Sequence, residues 1–463
     1  MASAAQLNDR ELGSPAPVPD GPPATPPGPS LPALAQTLAW TLAPTWLMEQ
    51  CARRLGSAFT ITFAPSGRQF VFVSDPEAVK DVMTAPGDVA PSAAAQSPLV
   101  PIMGHNSVIV LTGPEHMRQR KLLLPPFHGE RMREYESTIV ATTRQEMAGW
   151  TLGRPMRVHP ATRRITLDVI LSAIFGVDAE RMDPLRRAIG NLLGPGQTVM
   201  LLRVALSGPD FDTPPRALAD ALAQLDRLVY AEIALRREQP DLSERTDILS
   251  LLLQARDEDG QPMSDRELRD ELVTLLLAGH ETTATSVAWA IERLVRHPDK
   301  LERLLDEIDE GGEEYLEATV NEILRIRPVV PIVVRVLEQE LAVGGRLLPA
   351  GTRVAPCIYL TNRNPDVYEQ PLAFRPERFL GRNPDTFAWI PFGGGIRRCI
   401  GAAFAQLEMK LMLRTMLAEL HPRPAGGRLW RNGEWTRRRA ITFAPGAGAK
   451  VVWERRGNGR SAG

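Results

Sequence analysis

A chain of 463 residues that is 43% hydrophobic can bury a large core, and its formal net charge of -1 gives no electrostatic argument for nucleic acid or an anionic membrane surface. Its three cysteines, Cys51, Cys357 and Cys399, are odd in number and far apart, which argues against a disulfide framework or a zinc site and fits a reducing compartment. No stretch approaches the roughly 20 apolar residues of a spanning helix, and Leu31 to Met48 is cut by Pro32 and Pro44 with no basic leader before it, so a cytoplasmic protein without a membrane anchor is expected.

Residues 1–30 are rich in Ala, Pro, Gly and Ser, with nine prolines between Pro15 and Pro32. Such a stretch cannot build a hydrogen-bonded element and is expected to be a disordered or extended tail ahead of a single domain, 31–463. Thr60 to Phe63 and Gln69 to Val73 flank Pro65-Ser66-Gly67, a hairpin signal. Asp75 and Pro76 then suit the N-cap and first turn of a short helix. Ala85 to Val110 has no steady period and reads as a long loop, of the kind that is often functional.

Pro114 opens a helix in which His116 and Arg120, four apart, share one face. Helical patterns follow from His128 to Arg245, broken at Gly153, Gly176, Gly194-Pro195 and Gly208-Pro209, with Leu192 to Pro215 irregular. Ser264 to Arg296 is the longest helical pattern. Ser264 and Glu267 form a capping box at its start, and His297-Pro298 marks its end. Its middle holds Ala278-Gly279-His280-Glu281-Thr282-Thr283. A mid-helix glycine costs about 1 kcal/mol against alanine, and an acid beside an apolar run needs a reason. A local opening of the helix is the expectation there.

Glu314 to Ile326 is a further helix carrying Glu322 and Arg325, stopped by Pro328 and followed by an extended run, Val329 to Val336, that contains Arg335. Leu341 to Leu348 and Arg353 to Pro356 flank Pro349-Ala350-Gly351, which reads as a second hairpin. Phe374-Arg375-Pro376-Glu377-Arg378-Phe379 precedes Phe392-Gly393-Gly394-Gly395-Ile396-Arg397-Arg398-Cys399-Ile400-Gly401. The glycines let the backbone lie close against a flat ligand. Cys399 stands just ahead of a helix beginning near Ala402, where backbone N–H groups and the helix dipole favour a thiolate. Trp435 to Val452 alternates as strands do.

The run from Phe392 to Gly401 resembles the haem-binding signature of the cytochrome P450 family. That resemblance implies a mainly α fold with small β-sheets (α+β), the haem lying between the long central helix and the helix after the Cys loop. It implies haem b, with Cys399 as the axial iron ligand, and Phe392, Gly393 and Arg397 as further cofactor contacts. His116, Arg120 and Arg335 match the family's other haem-propionate positions, and Gly279 its oxygen groove. Glu281 and Thr282 match the pair that manages proton delivery during dioxygen activation. Glu322, Arg325 and Arg378 resemble the structural Glu-Arg-Arg triad. Leu99, Ile102, Met103, Ala278, Val330, Ile332, Val333, Ala440 and Ile441 fall at substrate-facing positions, and Leu192 to Pro215 at the mobile lid. Asn362-Arg363-Asn364-Pro365 departs from the His-Arg-Asp-Pro of many relatives, and the link Glu310-Gly311-Gly312 is short; neither touches the chemistry.

The expected activity is monooxygenation of a lipophilic small molecule by a monomer. A hydrogen-peroxide-driven peroxygenase and a non-catalytic haem-thiolate sensor are the alternatives. No flavin or iron–sulfur module is recognisable, so electrons are expected from NAD(P)H through a ferredoxin and its reductase. Arg118, Lys121, Arg131, Arg398, Lys410 and Arg414 are candidates for a basic docking face around the Cys loop. Lysine is confined to positions 80, 121, 300, 410 and 450, a bias that hints at a GC-rich bacterial source.

Overall fold

The computed structural model describes residues 25–96, 100–129, 131–176, 182–192, 216–382, 384–426, 433–439 and 441–456. The chain opens with α1 (Ala33–Leu42) and α2 (Pro44–Leu55), the hairpin β1 (Ala58–Phe63) and β2 (Arg68–Val73), and α3 (Pro76–Thr84). Then come α4 (Val100–Met103), α5 (Gly113–Leu123), α6 (Arg131–Ala148), β3 (Pro155–Arg157), α7 (Val158–Phe175), α8 (Asp183–Leu192), α9 (Arg216–Arg237) and α10 (Ile248–Gln254). The long helix α11 (Asp265–Arg296) leads to α12 (Pro298–Glu310), α13 (Glu314–Ile326), β4 (Arg335–Val336), β5 (Leu341–Val343), β6 (Arg346–Leu348), β7 (Arg353–Pro356) and α14 (Ile358–Thr361). The chain ends with α15 (Ala402–Glu419), β8 (Leu420–Pro424), β9 (Thr436–Arg439), β10 (Thr442–Pro445) and β11 (Lys450–Arg455). This is the expected mainly α fold with small sheets. Among the described residues, no helix is long and apolar enough to cross a membrane.

Local chemistry sets the ends of these elements. The Asp75 side chain accepts from the Glu77 and Ala78 N–H groups, with Pro76 in the first turn of α3. Ser264 and Glu267 exchange side-chain-to-backbone bonds at the start of α11, as the capping box requires. Helix α11 is buried on every side from Thr283 to Glu292, so it is a core helix, not an amphipathic surface one. It packs along α7 and also meets α9, α13 and α15. The main apolar core runs through these helices, with Trp289 of α11 only 1% exposed.

The sheet order β1-β2-β7-β4 places β7 parallel to β2, and the Arg335 end of β4 antiparallel to β7. This corrects the second hairpin. Strand β5 turns back onto β6 at Gly344-Gly345, both in the left-handed region (φ +55 and +73), while β7 joins the larger sheet. Two consecutive glycines make that tighter turn at no steric cost. The extended run after Pro328 is regular strand only at Arg335–Val336. Part of the tail expected to be disordered or extended over 1–30 falls within the described residues, and it is extended there. The Thr60 N–H and hydroxyl donate to the Pro27 and Pro26 carbonyls at 3.0 and 2.6 Å, so residues 26 and 27 lie along β1.

Candidate functional site

The Cys399 loop is a closed turn pressed onto α3. The Cys399 N–H donates to the Phe392 carbonyl at 2.9 Å, and Arg398 N–H to the Gly395 carbonyl at 3.1 Å. Gly395 has φ +62, and a β-carbon there would lie 1.9 Å from the Met83 carbonyl oxygen, so only glycine lets the loop seat on α3. Gly401 is the N-cap of α15. Cys399 is accessible to solvent, yet burial is the largest influence on its thiol. Both hold if the sulfur lines an internal recess. In the protein alone burial wins and pushes the thiol up, although the Gly401 N–H, Arg120 and Arg398 pull the other way. The helix terminus alone is therefore weaker than sequence reasoning expected. A bound metal ion reverses this balance, because a coordinating thiol is deprotonated outright.

Beside the recess four basic side chains converge from two elements and the Cys loop. His116 and Arg120 come from α5, Arg335 from β4 and Arg397 from the turn before Cys399. Burial, then the charges of Arg397, Arg120 and Arg335, push His116 down to about 4, so its imidazole is neutral at pH 7. Arg335 is only 7% exposed; burial pushes it down to about 10, and burial with Arg335 and Arg120 does the same to Arg397. Arg397 donates to the Val108 and Leu111 carbonyls, and Arg335 to that of Val334. Among the described residues no carboxylate pairs with Arg120, Arg335 or Arg397. Buried charge without a counter-charge costs several kcal/mol per ion. A planar ligand carrying two carboxylates against these arginines, with its metal at Cys399, removes that cost, and the donor set fits such a group.

The middle of α11 departs from expectation. The helix is regular throughout Asp265–Arg296, with no local opening. The Thr282 hydroxyl donates to the Ala278 carbonyl at 2.7 Å, while Thr166 and Thr162 of α7 donate to the His280 and Ala284 carbonyls at 2.8 and 2.9 Å. These hydroxyls supplement the ladder and leave it unbroken. A β-carbon at Gly279 would lie 3.2 Å from Ile170 Cδ1, so this glycine serves the packing of α11 on α7. Ala278 is exposed and Thr282 half-buried in the middle of a buried helix, which places both on an internal surface.

Glu281 neither faces solvent nor stands free. It pairs with Arg163 Nε of α7 at 2.6 Å and Arg439 Nε of β9 at 3.0 Å, with His159 Nε2 at 3.6 Å. Burial and the charges of Arg439 and Arg163 push His159 down to about 3, so that contact involves a neutral ring at pH 7. Sequence reasoning missed Arg163 and Arg439, because ion pairs over such separations leave no local pattern. It also missed Glu408 of α15. Glu408 is 1% exposed, takes a hydrogen bond from Thr283, and is pushed up to about 8 by burial. The signal was visible: an acid in the second turn of the helix after Cys399, on its apolar face.

Arg325 donates two fully buried hydrogen bonds to Glu322, at 2.6 and 2.8 Å, and Arg378 Nε reaches Glu322 Oε2 at 3.1 Å. The substrate-facing set is less coherent. Leu99 and Ala440 lie outside the described residues, as does Leu192 to Pro215 beyond Leu192. Ile102 and Met103 are buried, and Ile441 is 53% exposed. Ile332 packs on the cluster around Phe59 and Val333 on that around Val79, so successive residues face opposite ways and cannot form one wall. The basic docking face is largely neutralised. Arg118 pairs with Asp257 and Glu267, Lys121 with Glu258, Lys410 with Glu313 and Glu317, and Arg414 with Glu313. Arg398 is exposed and Arg131 half-buried.

The family model for cytochrome P450 matches residues 22–428. A Mycobacterium tuberculosis protein named as cytochrome P450 137 is 44% identical over 391 residues, 84% of this chain and 82% of that one. A Mycobacterium bovis protein named as cytochrome P450 138 is 39% identical over 442 residues, 93% and 96%. Among solved structures, retinoic-acid-bound cyanobacterial CYP120A1 superposes with a TM-score of 0.79 at 26% identity, covering 94% of this chain and all of that one. The haem domain of cytochrome P450DA gives 0.79 at 25%, covering 94% and 98%. A cysteine loop seated by glycine, arginines in part buried and without carboxylate partners among the described residues, and a match over most of the length agree: the chain belongs to the cytochrome P450 family, in general haem-thiolate monooxygenases.

Proposed function

We propose that this chain inserts one atom of dioxygen into a lipophilic small molecule, by hydroxylation or epoxidation, as a soluble, cytoplasmic monomer. The observation that carries the reading is the cluster of buried Arg335 and half-buried Arg120 and Arg397 beside Cys399, without a carboxylate partner among the described residues. Haem, when bound, supplies the oxygen-activating redox chemistry. Cys399 is the residue to ligate its iron, and neutral His116 with the three arginines the set to hold its carboxylates. Ala278 keeps the facing wall of α11 thin.

Thr282 and Glu281 manage the proton. Thr282 Oγ1 gives its hydrogen to the Ala278 carbonyl, so its lone pairs can accept a proton donor from the recess. Glu281 exchanges protons only when it swings away from Arg163 and Arg439, which makes that pair a brake on the relay. Electrons come from NAD(P)H through a ferredoxin and its reductase. The retinoic acid in CYP120A1 supports an extended lipophilic molecule as the substrate class.

The test is Thr282→Ala with such a redox pair and NADPH. The variant should keep consuming NADPH while hydrogen peroxide replaces product. Turnover on peroxide alone, unaffected by the substitution, would instead make the protein a peroxygenase; ligand binding with no oxidised product would make it a sensor.

A further inference from the structure

The segment from Gly104 to Val108, between α4 and α5, has little regular structure of its own, and such segments are ordinarily loosely held. Here one turn and a half of α11 takes hold of it. Asp270 Oδ2 accepts from the Asn106 backbone N–H at 3.0 Å and from its side-chain amide at 2.8 Å. Glu271 Oε1 accepts from the Val108 N–H at 2.8 Å, and the Thr274 hydroxyl meets that of Ser107 at 2.7 Å. Arg269 Nη1 reaches the Ile102 carbonyl at 3.2 Å and Asp270 Oδ1 at 3.0 Å, while its other nitrogens tie it to Asp226 of α9. Gly104 adopts φ +87 against Asp270, where a β-carbon would lie 2.0 Å from Oδ1.

Val108 has a second partner. Its carbonyl accepts from Arg397 Nη1 at 3.1 Å, and the Leu111 carbonyl accepts from Nη2 of the same guanidinium. One residue therefore joins α11 on its N–H side to the Cys399 turn on its carbonyl side. Glu271 is fully buried, with Oε2 unpartnered. Burial, with the nearby acids Asp270 and Glu267, pushes its carboxyl well up against the opposing hydrogen bond from the Val108 N–H.

We propose that Asp270, Glu271 and Thr274 are positioning residues. They clasp 104–108 to α11 and, through Val108, hold Arg397 in place. Loosening the clasp frees the Val108 carbonyl from Arg397, and this coupling does not require haem.

Hydrogen–deuterium exchange on the full-length protein as isolated tests the coupling. Asn106→Ala, at a half-buried loop position, and Glu271→Ala should each speed exchange at least tenfold in peptides covering 102–111, and also in the peptide covering 395–399. Glu271→Gln, which keeps an oxygen to accept from the Val108 N–H, should leave both unchanged. Acceleration confined to 102–111 refutes the coupling to Arg397, and no acceleration refutes the clasp.

Discussion

Replacing Glu408 by glutamine isolates the cost of a buried neutral acid beside the site. The side chain is 1% exposed, one oxygen has no partner, and Thr283 supplies a single hydrogen bond. Burial raises its titration from 4.5 to about 8. A group whose folded pKa lies above its unfolded value contributes progressively less stability as pH rises between the two. Each pH unit in that window costs about 1.4 kcal/mol, so at pH 7 the penalty is about 3 kcal/mol and at pH 8 about 4 kcal/mol. Glutamine has nearly the same volume and does not titrate. Urea unfolding followed by circular dichroism at pH 5, 6, 7 and 8 measures the difference. Relative to wild type, Glu408→Gln should gain roughly 2–3 kcal/mol between pH 5 and pH 7. Parallel pH profiles for the two proteins would refute the reasoning, because the carboxyl would then be ionised in the folded state.

Glu322→Ala leaves Arg325, with a fully buried side chain, facing no carboxylate, and should destabilise by about 3–5 kcal/mol in the same urea assay. Arg378→Ala should cost less, since Glu322 keeps both hydrogen bonds from Arg325. Lys410→Glu should barely slow reduction by a ferredoxin in stopped-flow at low salt, because Lys410 already lies near Glu313 and Glu317. Arg398→Glu should slow it several-fold, since Arg398 is exposed; equal effects would restore the wider docking face.

Signals confined to a few residues were the legible ones. The β1–β2 hairpin, the Asp75 cap, the Ser264–Glu267 box and the glycine-rich Cys399 loop each satisfy their backbone groups within one or two turns, so the pattern is written locally. Gly344-Gly345 was such a signal too, passed over in favour of Pro349-Ala350-Gly351. What stayed hidden is long-range pairing. Nothing near Glu281 announces Arg163 or Arg439, and nothing near Lys410 or Arg414 announces Glu313. A helix opening inferred from Gly279 overlooked the alternative that Ile170 of α7 needs the room. The hold of Asp270 and Glu271 on residues 104–108 spans more than 160 positions and has no periodicity to betray it.

Whether Cys399 ligates haem iron is tested most directly by the visible spectrum of the reduced, carbon-monoxide-bound protein, with Cys399→Ala measured beside it. A red-shifted Soret band in the wild type that is lost in the variant is the expected result. A protein that takes up no haem, or a band at the position of histidine-ligated haem, contradicts thiolate ligation and with it the roles given to His116, Arg120, Arg335 and Arg397.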